Sequence, residues 1–374
     1  MPTDGLPEWG QKNPNRGITM SVDPATGAYE VFAMGMREPN GLGVGPDGEL
    51  FAPDVQGNWI AANKLNHVKK GRFYGFKHEP AETWDNMAIS PPVVWLPEGE
   101  VSSAPGNPLF IETGKFAGQM LLGDVVVGGI RRIFVEKVGG EYQGSVFHFS
   151  GGLEGGVNRL LWGPDGHLYV GICGQGSGWS FKQDFGLQKI KSNGKAVFEM
   201  QSVRSRAGGM EIEYTEEIYA AAEDKAKYTV KTSQYISTSK YDSPPQAGKT
   251  LAVSAVQVSS DRKKVFLDVP GLEADRVVYF SIIFPAIRTL ELVELPWRDI
   301  LCTRVNKVMP MPTTTMAAMT SIMDHPRCIR ARKRITWSPP SPGPCSPALP
   351  RYPACFPRSA QSWRWPWPMR RRGR

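Results

Sequence analysis

The first 280 residues of this 374-residue chain contain one cysteine, Cys173, and the whole chain has no run of 18 apolar residues. Disulfide bonds therefore cannot stabilise this part, and no transmembrane segment is predicted. The opening residues, Met1-Pro-Thr-Asp-Gly, lack the basic and apolar regions of a signal peptide. No long stretch has the period of an amphipathic helix, which excludes the helical fold classes. Glycine, with 40 residues, is abundant instead and marks the turns of an all-β fold.

The tetrapeptide Gly-Pro-Asp-Gly occurs twice, at Gly45–Gly48 and at Gly163–Gly166, each time between short apolar segments. Asp-Gly in such a place is a strong hairpin signal, because a tight turn needs positive φ at its centre. A supersecondary unit is therefore used at least twice. Recurring units of four strands are typical of β-propellers, at roughly 40–50 residues per blade. A non-repetitive sandwich with two similar hairpins is the alternative.

Two strand patterns follow each other along the chain. Residues 1–200 have short apolar runs between turn clusters, which predicts a partial β-propeller, whereas strands in residues 201–282 alternate with period two. Such alternation over about 80 residues predicts a small immunoglobulin-like β-sandwich. The side chains predicted to form its core are Ile212, Tyr214, Val253, Val256, Val258, Val265, Leu267, Val269, Val277 and Tyr279.

The composition changes abruptly near residue 281. Residues 281–374 contain 16 Lys+Arg and 4 Asp+Glu, a net charge of +12, whereas residues 1–280 carry a net charge of −4. They also contain 15 of the 32 prolines, so residues 283–374 are predicted to be a disordered tail. An out-of-frame translation, a genuine basic segment and a low-complexity linker are the three interpretations, and the abrupt change favours the first. No specific nucleic-acid partner is predicted.

The stretch that is richest in chemical groups is Met36–Tyr74, which contains Arg37-Glu-Pro-Asn-Gly and Asp54-Val-Gln-Gly-Asn-Trp. Together with Gly118–Gly123 and the hairpin Arg159–Val170, these segments resemble the glucose/sorbosone dehydrogenase family of quinoprotein β-propellers. The likeness is strongest to the large exported, haem-containing planctomycete-type members. It covers about residues 15–280. It implies the C-terminal part of a six-bladed propeller, about three or four blades, followed by the sandwich and the tail.

The resemblance also implies a cofactor site. In this family, pyrroloquinoline quinone (PQQ) lies over the central channel beside a calcium ion. Arg37 falls at the cofactor-binding arginine of the family's motif and Asn40 at a nearby amide, whereas Arg159 lies one position from a further arginine. Cationic side chains suit an anionic cofactor because they offset its desolvation. Arg37, Asn40 and Arg159 are therefore the predicted cofactor-binding residues, and the alternative for Arg37 is an ion pair with Glu38.

Three positions depart from the family's pattern. Glu38 replaces an asparagine, Val126 stands where a lysine is frequent, and Asn158 replaces an arginine. The catalytic histidine of the family precedes the arginine motif, yet none of the 36 residues before Arg37 is a histidine. No catalytic residue is therefore assigned.

Oxygen-bearing side chains follow the second apolar run of this stretch. Asp54, Gln56 and Asn58 are the predicted calcium ligands, because hard cations prefer oxygen. A turn rich in Asp and Asn with no metal is the alternative.

The predicted function is a fragment of a secreted or periplasmic quinoprotein-type dehydrogenase that oxidises sugars or related alcohols. The fragment itself is expected to be inactive, because it lacks the histidine base. The resemblance implies PQQ and calcium as cofactors and a cytochrome c as electron acceptor. A non-catalytic propeller that binds carbohydrate or a protein partner is the alternative, which the three departures favour.

Overall fold

The structure is a computed structural model, and it describes residues 16–78, 80–174, 185–194, 198–218, 220–241, 243–282 and the backbone of 302–304. All of these belong to the first of two compact units, Met1–His325, and the second unit, Pro326–Arg374, lies outside the described residues. The regular structure described consists of strands and short 3-10 segments, which confirms the all-β class. The 3-10 segments are Pro46–Gly48, Ala81–Trp84, Ala220–Glu223 and Lys225–Lys227. None of the described helical segments has the length and apolar character needed to cross a membrane.

Four antiparallel sheets follow each other along residues 18–190. The first sheet is the hairpin of β1 (Ile18–Val22) and β2 (Tyr29–Met34). The second contains β3 (Gly43–Val44), β4 (Leu50–Asp54), β5 (Asn63–Val68) and β6 (Val94–Leu96). The third contains β7 (Pro105–Phe110), β8 (Met120–Asp124), β9 (Ile130–Val138) and β10 (Glu141–Ser150). The fourth contains β11 (Gly156–Trp162), β12 (Leu168–Cys173) and β13 (Phe185–Ile190).

Within each of these four sheets, strands that are consecutive in sequence are neighbours in space. This meander is the arrangement of a propeller blade, so the first part of the chain is propeller-like.

Hydrophobic clusters join each of these sheets to the next. Ala33 of β2 in the first sheet packs with Val68 of the second sheet, and Phe51 of the second packs with Ile133 of the third. The third sheet then shares a cluster with the fourth, in which Leu121 and Val157 are fully buried. Complete burial of each such side chain contributes about 1.5–3 kcal/mol. The sheets therefore stack face to face through apolar layers.

Both Gly-Pro-Asp-Gly segments connect the first two strands of a sheet, as the sequence predicts. In the first turn, Asp47 and Gly48 both have positive φ, 58° and 71°, and the Tyr142 hydroxyl donates to the Asp47 carboxylate at 2.6 Å. In the second turn, Gly166 has a φ of 72° but Asp165 has not adopted the left-handed conformation. The same tetrapeptide therefore closes two turns of different backbone conformation. The partners of the two aspartates also differ, since Asp47 bonds to Tyr142 of another sheet and Asp165 to Tyr169 of its own sheet.

Residues 200–304 contribute the remaining strands. They are β14 (Met200–Arg206), β15 (Gly209–Tyr214), β16 (Tyr228–Gln234), β17 (Gln246–Leu251), β18 (Ala255–Val258), β19 (Lys264–Asp268), β20 (Val277–Ile282) and β21 (Cys302–Arg304). One sheet has the order β14-β15-β19-β18. Strands β17, β16 and β20 lie side by side at one end of an eight-stranded sheet, β17-β16-β20-β21-β10-β9-β8-β7, whose other end is the third propeller-like sheet. These two sheets share one hydrophobic core, to which Phe134 and Phe147 of the third propeller-like sheet also contribute. The boundaries at residues 200 and 282 and the immunoglobulin-like type remain predictions.

The predicted core of this second part is correct at most positions and wrong at two. Ile212, Tyr214, Val265, Leu267 and Val269 are buried in it, and Val253, Val256 and Val258 pack against it. Val277 and Tyr279 instead belong to the cluster between the second and third propeller-like sheets, and Val278 and Phe280 fill the predicted core. Strand β20 has an apolar layer on both of its faces, so its alternation could not indicate which face is inside.

Strand β21 lies within the segment predicted to be a disordered tail. It pairs with β20 through Tyr279↔Cys302 and with β10 through Val146↔Cys302. The second part of the chain is thereby connected to the third propeller-like sheet by backbone hydrogen bonds. The prediction for 283–374 did not include this strand, and the rest of that prediction lies outside the described residues.

Candidate functional site

The chain segments that enter the first strands of three neighbouring sheets lie side by side. A Cβ atom on Gly41, whose φ is 122°, would lie 2.6 Å from the Asn107 Cβ. A Cβ atom on Gly106 would lie 2.6 Å from the Asn158 carbonyl oxygen. Glycine at these two positions therefore permits the close approach of β3, β7 and β11.

The strand registers define equivalent positions in the three sheets. The pairs that close each first hairpin are Val44↔Leu50, Phe110↔Met120 and Trp162↔Leu168. Positions that precede the first residue of each pair by the same number of residues are equivalent, and one such set consists of Asn40, Gly106 and Asn158. The next position along each strand is occupied by Gly41, Asn107 and Arg159. These positions form the candidate site.

Two of the three predicted cofactor-binding residues meet in this site. The Arg159 Nη1 donates to the Asn40 Oδ1 at 3.0 Å and to the Asn158 carbonyl at 2.9 Å. The Asn40 Nδ2 donates in turn to the Asn158 Oδ1 at 2.9 Å. Arg159 is exposed, and the acceptors it uses in the described part of the chain are oxygens of Asn40 and Asn158, not carboxylates. Its positive charge is therefore available to an anion from solution.

Asn107 is a site residue that the sequence did not reveal. It occupies the position equivalent to Arg159, and its Oδ1 is buried without a hydrogen-bond partner in the described residues. The turn tetrapeptide that aligns the other two hairpins is absent between β7 and β8, so the equivalence became visible only from the strand register.

Arg37, the third predicted residue, lies in a different environment. Its Nη1 donates to the Gln56 carbonyl at 2.6 Å and lies 3.2 Å from the Glu38 carboxylate. Its side chain is 2% exposed, and its Nε is buried without a partner in the described residues. A Cβ atom on Gly57 would overlap this Nε. The ion pair with Glu38, which was the alternative from the sequence, is present.

The predicted calcium ligands lie on one segment. Hydrogen bonds already occupy the Asp54 carboxylate, whereas the Asn58 Oδ1 is buried without a hydrogen-bond partner in the described residues. The fully buried Asp54 carboxylate accepts the backbone N–H of Arg37 at 3.0 Å and of Glu38 at 2.8 Å. The Gln56 N–H donates to Asn63, and the Asn58 Nδ2 donates to the Ser239 carbonyl at 2.8 Å.

Burial raises the pKa of the Asp54 carboxyl, while Lys64 and the backbone donors lower it. Across the described ranges, no group of three or more His, Cys, Asp or Glu side chains could hold a metal ion. The calcium site stays a prediction.

An equivalent carboxylate is present in the next sheet. Asp124 stands at the same position of β8 as Asp54 does in β4, and it too is fully buried. It accepts the backbone N–H groups of Ser103 at 2.8 Å and of Ala104 at 3.1 Å, which lead into β7, the first strand of the same sheet. It also bonds to the Ser102 hydroxyl. The arrangement around Asp54 is thus found twice in the chain. We call it a clamp: a buried carboxylate that accepts backbone N–H groups of the loop before the first strand of its sheet.

The histidines of the described residues lie away from this site. The Nε2 of His67 contacts the Glu49 carboxylate at 3.1 Å, and the ring of His78 packs against Trp84. The hydrogen bonds described for Arg37, Asn40 and Arg159 involve no histidine. The described part of the site therefore offers cations and amides for binding, without a histidine base.

Comparisons with known proteins give partial similarities. No protein-family profile matches the chain, and no curated protein matches it significantly. Among solved structures, an oxidoreductase from Thermus thermophilus assigned as a glucose dehydrogenase is 25% identical, with a TM-score of 0.33, over 43% of this chain and 47% of its own. A glucose dehydrogenase is 20% identical, with a TM-score of 0.32, over 44% of this chain and 46% of its own.

A third structure, the PQQ-bound aldose sugar dehydrogenase from Streptomyces coelicolor, is 19% identical, with a TM-score of 0.34, over 46% of this chain and 51% of its own. The chain thus spans about half the length of each of these three structures. Similarity at this level leaves the function to be inferred from the residues themselves.

Proposed function

We propose that this chain is part of a quinoprotein-type dehydrogenase propeller that oxidises sugars or related alcohols. The proposal is supported by the sequence resemblance around Arg37–Gly41 and Asp54–Gly57, and by the stacked meander sheets that carry both segments. An exported location and a cytochrome c electron acceptor belong to the same proposal and rest on the resemblance.

The observation that carries the proposal is the exposed guanidinium of Arg159. It connects β11 to the segment that leads into β3 by donating to Asn40 at 3.0 Å, although the two residues are 119 positions apart in sequence. An arginine that is held by amides keeps its full charge, and its free N–H groups match the planar geometry of a carboxylate. Such a group suits one carboxylate of an anionic cofactor.

The residues present fit PQQ at one end of the candidate site. Arg159 and Asn40 would hold a carboxylate there, and the unpaired Asn107 Oδ1 would accept a hydrogen bond from a polar group of the ligand. When bound, PQQ would supply the two-electron acceptor that sugar oxidation requires. Arg37 in its present contacts would not reach the cofactor, because its guanidinium is turned to Gln56 and Glu38.

The 374-residue chain, loaded with PQQ and calcium, should bind its substrate without oxidising it. A base must lie within about 2.6–3.2 Å of the proton that it removes, and no histidine contacts the described site residues. Dye-linked oxidation of glucose by the loaded chain is the assay, and clear turnover would contradict this expectation.

Titration of the chain with PQQ, followed by cofactor fluorescence, tests the binding. We expect saturable binding at about 0.15 M salt that weakens at least about ten-fold in Arg159→Met. Arg206→Met is the matched control, since Arg206 is a partly exposed arginine on β14 that pairs with Glu211 at 2.7 Å. Equal weakening in both variants would indicate non-specific attraction to the basic chain, and the proposal would fail.

A non-catalytic propeller that binds neutral carbohydrate is the second candidate. The neutralisation of Arg37 by Glu38 at 3.2 Å favours it, because that ion pair removes one of the cations that an anionic cofactor needs. Calorimetric binding of a neutral sugar that survives Arg159→Met, in the absence of PQQ binding, would support this candidate over the first.

A further inference from the structure

A segment of the second part of the chain lies against the loop that carries the predicted metal ligands. This segment, Ser237–Tyr241, follows β16 and is here called the strap. We propose that the strap controls access to Arg37, so that the guanidinium becomes available to an anionic ligand only when the strap moves away. The identity of that ligand rests on the proposed function, whereas the covering of Arg37 does not.

Three hydrogen bonds attach the strap to residues 58–59. The Trp59 N–H donates to the Thr238 carbonyl at 2.7 Å, and the Ser237 hydroxyl donates to the Trp59 carbonyl at 2.5 Å. The Asn58 Nδ2 donates to the Ser239 carbonyl at 2.8 Å. Both backbone groups of Trp59 are thus bonded to the strap.

The backbone of Trp59 is strained, which connects the loop's conformation to the strap. Its φ is 67°, in the left-handed region that a bulky residue rarely adopts. A residue in such a conformation costs about 1–3 kcal/mol and persists only where its surroundings enforce it. Reciprocal backbone hydrogen bonds between Gly57 and Ile60, at 2.8 and 3.0 Å, close the turn that contains Trp59, and the two bonds to Ser237 and Thr238 hold that turn against the strap.

Arg37 lies beneath this assembly. The Tyr241 ring stacks on its guanidinium, with 5.4 Å between the guanidinium carbon and the ring centroid. Gly57 lies against its Nε, and that Nε is buried without a hydrogen-bond partner in the described residues. The strap and the Gly57 loop therefore leave the side chain 2% exposed and one of its donors unused.

The Nε of Arg37 is a hydrogen-bond donor that movement of the strap would make available. Movement of Tyr241, which is 42% exposed, would uncover the guanidinium at small cost in apolar burial. An anionic ligand that first contacts the exposed Arg159 could then also engage Arg37. The strap thereby makes anion binding depend on a segment that follows the propeller-like sheets in sequence.

Arginine modification by phenylglyoxal, read by peptide mass spectrometry without PQQ, tests the covering directly. In the wild-type chain we expect Arg159 to react fast and Arg37 to be protected like the fully buried Arg132. Tyr241→Ala should accelerate the modification of Arg37 about ten-fold, whereas Tyr241→Phe, which keeps the ring, should not. Arg37 reacting as fast as Arg159 in the wild type would overturn the proposal.

A second variant keeps the test decisive if Tyr241→Ala disturbs folding. Asn58→Ala removes one hydrogen bond to the strap at 2.8 Å and should also raise the reactivity of Arg37, with Arg132 still protected. An unchanged rate at Arg37 in both folded variants would overturn the proposal. If the variants behave as expected but the chain does not bind PQQ, the inference about the strap is supported and the proposed function fails.

Discussion

At the scale of single residues, the Asp54 carboxylate has one role that the sequence predicts and another that the structure shows, and Asp124 shares the second role. Oxygen-rich sequence around Asp54 predicts a calcium ligand, yet its oxygens accept backbone N–H groups of the segment that enters the first strand. Asp124 does the same in the next sheet, where no cofactor residue is predicted. At the equivalent position of β12 stands Ile172, so the fourth sheet lacks the clamp.

Replacing Asp124 by alanine should lower the free energy of unfolding by about 3 kcal/mol or more, because the buried Ser102 hydroxyl and several partly buried backbone N–H groups lose their acceptor at once. Urea denaturation measures the change. Ile172→Val is the matched control at the equivalent position of the fourth sheet, and it should cost only about 0.5–1.5 kcal/mol. A loss below about 1 kcal/mol for Asp124→Ala would show that water replaces the clamp without penalty.

At the scale of strands, the contact between the second and third sheets contains a buried imidazole. His67 on β5 stacks on Phe51 with 5.2 Å between ring centroids and meets the edge of Tyr142 at 4.9 Å. Glu49 contacts its Nε2 at 3.1 Å, and its Nδ1 has no partner in the described residues. Burial lowers the pKa of His67 below its ordinary 6.5, and Glu49 opposes this only in part.

This pKa predicts how stability responds to pH. A histidine whose pKa is lowered on folding contributes stability that is present above pH 6.5 and is lost as the pH falls through its folded pKa. Unfolding measured between pH 8 and pH 5 should therefore show a smaller loss for His67→Gln than for the wild type. His148, whose pKa is also lowered by burial and by Arg131, should account for part of the remainder in a His148→Gln control. An unchanged slope in His67→Gln would contradict the prediction.

The strands also show what the sequence could predict. Both Gly-Pro-Asp-Gly hairpins form as expected, because their turn residues act locally. The inward face of β20 was predicted incorrectly. Because β20 lies between two apolar cores, the alternation of its side chains does not show which face belongs to which core. In the candidate site, Asn40 and Arg159 contact each other, and their role in cofactor binding stays a prediction. The covering of Arg37 by Tyr241 depends on residues about 200 positions apart, which no local pattern encodes.

At the scale of the whole molecule, the propeller-like sheets and the following strands share buried contacts. Arg132 on β9 is fully buried and lies between the rings of Phe116 and Phe147, 4.0 and 4.3 Å from their centroids. Its guanidinium donates to the Met200 carbonyl at 2.7 Å and to the Glu199 carboxylate at 3.1 Å. Together with the strap and strand β21, this contact gives three separate connections between the two parts of the chain.

Strand β21 allows the basic tail to be tested in two steps. A chain ending at Arg304 keeps the pairing of Cys302–Arg304 with β10 and β20, whereas a chain ending at Ile282 loses it. The first truncation should change the free energy of unfolding by less than about 0.5 kcal/mol, because the residues that it removes belong to the tail predicted to be disordered. The second should cost about 2 kcal/mol, because backbone groups beside the fully buried Val146 and Val278 lose their partners.

Both truncations remove most of the 14 arginines that follow residue 280, so retention on a polyanion column at low salt should fall in both. Only the loss of stability should differ between them, and this difference separates a structural role of β21 from the charge of the tail. If the chain ending at Arg304 is destabilised as much as the one ending at Ile282, residues after 304 support the fold. An out-of-frame origin would then be excluded, because a sequence read in the wrong frame has had no selection to pack against the strands before it.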